Sequence, residues 1–155
     1  PDANLLLWQP ALSGSQQLQQ FLRLHAGARI VGNAGGDATP PLQRLRAGTR
    51  VELGGYEISP ELALGMEASR LELPLDWHGR AVWLELTALA PPELSLPSTR
   101  CVAAWRERGA QVHAEALSGP AFWQTQEIED CDALIERTVQ LVGAMAPASA
   151  RSAAA

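Results

Sequence analysis

Two carboxylates and one histidine are the residues whose types and settings suggest acid–base chemistry. Glu85 interrupts the otherwise apolar run Ala81–Leu86, where a carboxylate is costly to desolvate unless it is paired. Glu93 follows in the next loop, and His113 lies in a second predicted strand with polar residues at alternate positions. Glu85 is therefore interpreted as a catalytic or pocket carboxylate or, alternatively, as a residue at an exposed strand end. His113 is a candidate base or, alternatively, a structural residue.

The cysteines and histidines do not have the spacing of a metal site. Cys101 and Cys131 lie in separate predicted helices without a CxxC motif, which favours two reduced thiols over a disulfide or a catalytic role. His25, His78 and His113 are scattered, and no HxxxH or HExxH pair occurs. We therefore expect neither a metal nor another cofactor.

Three aromatic residues end or follow predicted strands. Trp8 ends the first strand, and Phe122 and Trp123 follow the last one. If the strands are parallel, both positions open on the same edge of the sheet, where the three rings would line an apolar pocket for an acyl or glycan group. The alternative is that they pack an inserted cap against the sheet.

The order of the predicted elements indicates an α/β fold. Strands are predicted at Leu5–Trp8, Ala81–Leu86 and Gln111–Leu117, and helices at Ser98–Arg108 and from about Asp130. Strands that alternate with helices imply a mostly parallel sheet with right-handed crossovers.

A helical region interrupts this alternation and divides the chain. We assign residues 1–14 and 77–146 to a partial core, residues 15–76 to a cap or insertion over the carboxyl edge of the sheet, and residues 147–155 to a disordered tail. Ser15 is the predicted N-cap of the first helix in the insertion. Further along the insertion, a polar–apolar alternation predicts a small hairpin or one bent strand.

Composition excludes several classes of protein. The net charge of −5 disfavours a nucleic-acid partner, because phosphate binding needs a basic face. Hydrophobic residues form 46% and charged residues 19% of the chain, as in ordinary globular domains, and no apolar run is long enough to span a membrane. We therefore expect a cytoplasmic protein without a membrane span, whose partner is a small molecule.

The first predicted strand also bears on completeness. Leu5–Trp8 is wholly apolar, which is typical of a strand buried on both faces with neighbours on both sides. Since no start methionine, signal peptide or leading helix precedes it, we expect the chain to be the C-terminal part of a longer protein.

Four segments carry a family resemblance that extends to about Val142. The chain resembles the family called exosortase A system-associated hydrolase 2, a branch of the α/β hydrolases. The matching segments are LLLWQPALSG (Leu5–Gly14), QQFLRL (Gln19–Leu24), GYEISPELA (Gly55–Ala63) and GPAFWQTQEIE (Gly119–Glu129).

This resemblance implies the C-terminal half of an α/β-hydrolase-like sheet with a helical cap. It further implies an ester- or acyl-bond hydrolase associated with exosortase and exopolysaccharide systems. The serine of a G-x-S-x-G turn would lie upstream, because no such motif occurs here. The acid would follow the strand Ala81–Leu86, where Glu85 and Glu93 replace the usual Asp, and Phe122 and Trp123 stand where the histidine would lie. The alternative is a non-catalytic relative that binds a lipid-linked or glycan intermediate.

Overall fold

A computed structural model describes residues 3–29, 39–53, 55–122 and 130–145. Trp123 and the predicted disordered tail at 147–155 lie outside these ranges. The described residues form five strands and five helices. In chain order these are β1 (Leu5–Trp8), α1 (Gly14–Arg29), α2 (Pro41–Arg46), β2 (Val51–Leu53), β3 (Tyr56–Ile58), α3 (Pro60–Ala68), β4 (Arg80–Thr87), α4 (Leu96–Glu107), β5 (Gln111–Ser118) and α5 (Asp132–Met145).

The chain divides into two compact units. One comprises Pro1–Pro10 with Leu73–Ala155, and the other comprises Ala11–Glu72. The first unit contains a three-stranded sheet in the order β1-β4-β5, with parallel pairing throughout. The predicted α/β architecture with a parallel sheet is therefore confirmed at this level, whereas the role of the second unit as a cap stays a prediction.

The central strand β4 is buried on both faces because a helix packs on each. Val82, Leu84 and Leu86 project to one face and form a core cluster with Cys131 and with Leu134 of α5. On the opposite face, Trp83 packs edge to face against Trp105 of α4, with the ring centroids 5.5 Å apart. Successive side chains of a strand alternate between faces, so the six consecutive buried residues of β4 serve two helices.

Strand β1 is less buried than its sequence predicts. Leu6 and Trp8 are 40% and 43% exposed, which corrects the prediction of burial on both faces. Among the described strands, β1 pairs only with β4. Its side chains on the α5 face, Leu6 and Trp8, therefore have a neighbouring strand on one side only.

The second unit packs helices around a short hairpin. Strands β2 and β3 pair in antiparallel fashion, and Gly55 between them has the positive φ of 83° that glycine adopts readily. The hairpin alternative is therefore confirmed over the bent strand. The first helix, α1, begins two residues earlier than expected, and Ser13 rather than Ser15 caps it, with its Oγ 3.4 Å from the Gln16 amide nitrogen. The apolar core of this unit consists of Leu18, Leu22, Leu45, Val51, Leu53, Ile58 and Ala63.

The two cysteines are free thiols, as their spacing predicts. Cys131 is buried in the core of the first unit, and Cys101 is partly buried on α4. Burial disfavours the thiolate and raises the pKa of Cys101. A raised pKa makes this thiol a poor nucleophile near neutral pH.

Candidate functional site

The carboxyl edge of the sheet begins with an unusual backbone at the end of β1. Gln9 has a φ of 42°, in the left-handed region that residues other than glycine seldom adopt. Its N–H donates to the Leu84 carbonyl at 2.8 Å, and its side-chain oxygen accepts from the Leu86 N–H at 2.9 Å. The side chain of Gln9 therefore continues the pairing with β4 after the main chain has turned away.

Gln9 was not singled out from the sequence. The Gln9-Pro10 pair gave no signal for it, because a following proline favours extended backbone rather than a positive φ. Backbone conformations of this kind cost roughly 1–3 kcal/mol and cluster at functional sites.

Among the described residues, Glu85 is a charged residue that is buried near this edge of the sheet. Only 7% of its surface is exposed, so the interpretation as an exposed strand end is wrong. Its Oε1 lies 3.3 Å from the Ser95 amide nitrogen, which donates to it. Its Oε2 is buried and has no hydrogen-bond partner among the described residues. One oxygen of this carboxylate thus remains able to accept a hydrogen bond.

Two serines complete a polar group with Glu85, which we call the Glu85 cluster (Glu85, Ser95 and Ser98). Ser95 caps α4, where its Oγ accepts from the Ser98 N–H at 3.4 Å and donates to the Ser98 Oγ at 2.9 Å. Ser98 is 5% exposed. Because the cluster lies at the N-terminus of a twelve-residue helix, the helix dipole stabilises the negative charge of Glu85. The sequence predicted the helix to start at Ser98, and the cap at Ser95 was missed.

A second unsatisfied polar atom lies on the same face of β4. Trp83 precedes Glu85 by two residues, so both side chains project toward α4. The Trp83 Nε1 is buried and has no hydrogen-bond partner among the described residues. This face therefore holds one unused donor and one unused acceptor, an arrangement that is rare in folded proteins.

His113 does not lie near Glu85. It is the third residue of β5, opposite Val82, and so belongs to the amino end of the strand. Its Nε2 is 3.1 Å from the Glu115 Oε2, which also accepts from the Arg137 Nε at 2.8 Å. His113 thus contributes to an ion network that joins β5 to α5, and the structural alternative describes its setting.

The central carboxylate of this network has a perturbed pKa. Burial opposes its charge, but hydrogen bonds from His113 and Arg137 outweigh burial and lower the pKa of Glu115.

The other predicted site residues are dispersed. Glu93 is exposed in the loop after β4. The Trp8 Nε1 donates to the Thr138 Oγ1 of α5 at 2.9 Å, and Phe122 packs against the core cluster on the same face. The aromatic rings therefore lie on the α5 face of the sheet, whereas Glu85 lies on the α4 face. Trp123, the third predicted pocket residue, is outside the described ranges.

The described parts of the chain contain no group of three metal-ligating side chains. Within the same ranges, no helix is both long and apolar enough to cross a bilayer. Comparison with known proteins found no matching family model, curated protein or solved structure.

The geometry of the carboxyl edge suits one chemical task. A buried carboxylate held through one oxygen and free at the other can accept an N–H and keep the donor in a fixed orientation. Where the donor is an imidazole, such a carboxylate selects its tautomer and stabilises its protonated form. The Glu85 cluster can therefore support a base, although Glu85 lacks a histidine partner among the described residues.

Proposed function

We propose that this chain is part of an α/β-hydrolase-like protein that cleaves an ester or acyl bond, with Glu85 as the acid of its catalytic site. The observation that carries the proposal is the free, buried Oε2 of Glu85 near the carboxyl end of a central parallel strand. Ligands of open α/β sheets bind at this edge.

The order of the strands supports the same proposal. Strands β1, β4 and β5 are adjacent and parallel, and the compact unit Ala11–Glu72 is inserted between the first two. In this proposal the inserted unit is the cap that the family resemblance implies. The association with exosortase and exopolysaccharide systems rests on the family resemblance alone.

In this mechanism the serine nucleophile and its histidine belong to a part of the protein outside this sequence, since His113 is engaged with Glu115. Glu85 accepts the N–H of the imidazole, orients it toward the serine and stabilises the imidazolium that forms as the serine attacks the carbonyl. The N-terminus of α4 supports the charge of Glu85, and the burial of this carboxylate excludes water that would compete for its free oxygen.

A second candidate is a non-catalytic binding protein for a lipid-linked or glycan intermediate. The position of His113 favours it, because this histidine is engaged with Glu115 near the opposite end of the sheet. Trp8, which is 43% exposed, offers an aromatic surface for such a ligand.

Labelling with a fluorophosphonate probe separates the two candidates. The full-length protein is treated with the probe, digested and analysed by mass spectrometry, with heat-denatured protein as the control for nonspecific reaction. We expect a single labelled serine in the native sample only. If no serine reacts in the native protein, the serine-hydrolase proposal fails and the binding role takes its place.

A further inference from the structure

A separate cavity lies at the amino ends of the strands, away from the Glu85 cluster. The first residues of β4 and β5 and the last turn of α5 line an open groove of about 410 Å³, and we call this groove the basal cavity. Its size is within the range of about 300–1,000 Å³ that is usual for small-molecule sites. The proposed hydrolase activity makes no use of it.

The walls of the basal cavity combine apolar side chains with the polar residues Arg80, Gln111 and His113. Val82 contributes from β4 and is almost fully buried, while Leu141 and Met145 contribute from α5 and pack against the same core cluster. Because these side chains are fixed by the core, the apolar surface is preformed. A hydrocarbon group that entered it would be removed from water without a large rearrangement of the protein.

Arg80 supplies positive charge to the lining of the cavity. Its backbone N–H donates to the Asn4 Oδ1 at 2.9 Å, which fixes the start of β4 beside β1. Its guanidinium forms no ion pair with any other described residue, although the chain as a whole carries a net charge of −5. The guanidinium is therefore available to an external anion.

Among the described charged groups near the cavity, Arg80 is the one placed to bind an anion. His113 also lines the cavity, but its Nε2 contacts Glu115, whose charge is shared with Arg137. The last carbonyls of α5 carry the partial negative charge of a helix C-terminus, which disfavours an anion on that side. An anionic group would therefore bind at Arg80, with its apolar part against the wall formed by β4 and α5.

We propose that the basal cavity binds an amphiphilic monoanion, namely a carboxylate with a medium-length hydrocarbon chain. The complementary features are the apolar wall and the Arg80 guanidinium, which forms no ion pair with another described residue and can form bidentate hydrogen bonds with a carboxylate. Octanoate, with one carboxylate and a seven-carbon chain, is a probe of this class.

Titration of the full protein with octanoate, followed by two-dimensional NMR, tests the proposal. We expect saturable shifts at Val82, His113 and Met145. The neutral analogue 1-octanol should bind about tenfold more weakly, because one charged hydrogen-bonded contact is worth roughly this factor. Equal binding of the two compounds, or shifts confined to other regions, would overturn the proposal.

Variants of Arg80 provide the matched comparison. Arg80→Gln should weaken octanoate binding about tenfold and leave 1-octanol unaffected, whereas Arg80→Lys should retain most of the affinity for octanoate. Arg100→Gln changes an exposed arginine on α4, outside the cavity, and should bind octanoate like the unmodified protein. Arg80 is exposed, so these variants are expected to fold. Unchanged octanoate binding by Arg80→Gln would refute the assignment.

Discussion

Replacement of Glu85 by leucine should make the protein more stable. The unpartnered Oε2 is buried, and an unsatisfied buried polar atom costs about 1–3 kcal/mol. The bond from Ser95 that would be lost is long, at 3.3 Å, and is worth about 1 kcal/mol. Ser95 is exposed, so water can take over its N–H. Leucine has a similar volume, and we therefore expect Glu85→Leu to raise the free energy of unfolding by about 1 kcal/mol.

Urea denaturation followed by tryptophan fluorescence measures this change, since Trp83 and Trp105 pack beside the substituted position. Glu93→Leu is the matched control, because Glu93 is exposed and its substitution should change stability by less than about 0.5 kcal/mol. A destabilisation of about 1 kcal/mol or more in Glu85→Leu would refute the reasoning, since Glu85 would then hold the fold together. A gain in stability indicates that the carboxylate is kept for function at the expense of stability.

Four further substitutions test the packing and the charges of the first unit. Gly119→Ala should lower the free energy of unfolding by about 1–3 kcal/mol, because the new Cβ would lie 2.6 Å from the Sγ of Cys131. Gly143→Ala, in open space on α5, should raise it by up to about 1 kcal/mol. Thermal melting compares the two variants. Trp105→Ala removes the edge-to-face partner of the β4 tryptophan and should cost about 3–5 kcal/mol in urea denaturation, and a cost below about 1 kcal/mol would contradict the packing described above. Folding lowers the pKa of Glu115, so its ionised carboxylate stabilises the folded protein by about 0.5 kcal/mol at neutral pH. This stabilisation disappears as the pH falls through the folded pKa. Glu115→Gln should accordingly be less stable than the unmodified protein at pH 7, and the difference should shrink as the pH is lowered through the folded pKa; a difference independent of pH would rule out this cause.

The sequence predicted the strands and helices better than it predicted the burial of their side chains. The short apolar run of β4 and the apolar residues at helical spacing in α5 indicated a strand and a helix because the local pattern reflects the faces that are buried. Burial of Leu6 and Trp8 depends on neighbours in space, and four apolar residues in a row could not reveal that one face is partly exposed. Ser13 and Ser15 both suit a cap, so the choice between them depended on the backbone.

The candidate site was predictable only in part. Glu85 was identifiable because a carboxylate in an apolar strand breaks the pattern. The roles of Gln9 and Ser95 depend on a single φ angle and on hydrogen bonds between side chain and backbone across the sheet edge, which have no local sequence signature. The distance of His113 from Glu85 follows from strand register, which places it opposite Val82 rather than at the carboxyl end.

The rate of ester hydrolysis by the full protein carrying Glu85→Gln tests the proposed function most directly. Glutamine keeps the shape and the bond from Ser95 but removes the charge that would support an imidazolium. With a p-nitrophenyl acyl ester as substrate, we expect kcat/KM to fall by about 100- to 10,000-fold, while Glu93→Gln retains full activity. A Glu85→Gln variant that is folded and within about threefold of the unmodified rate would contradict the assignment of Glu85 as the catalytic acid.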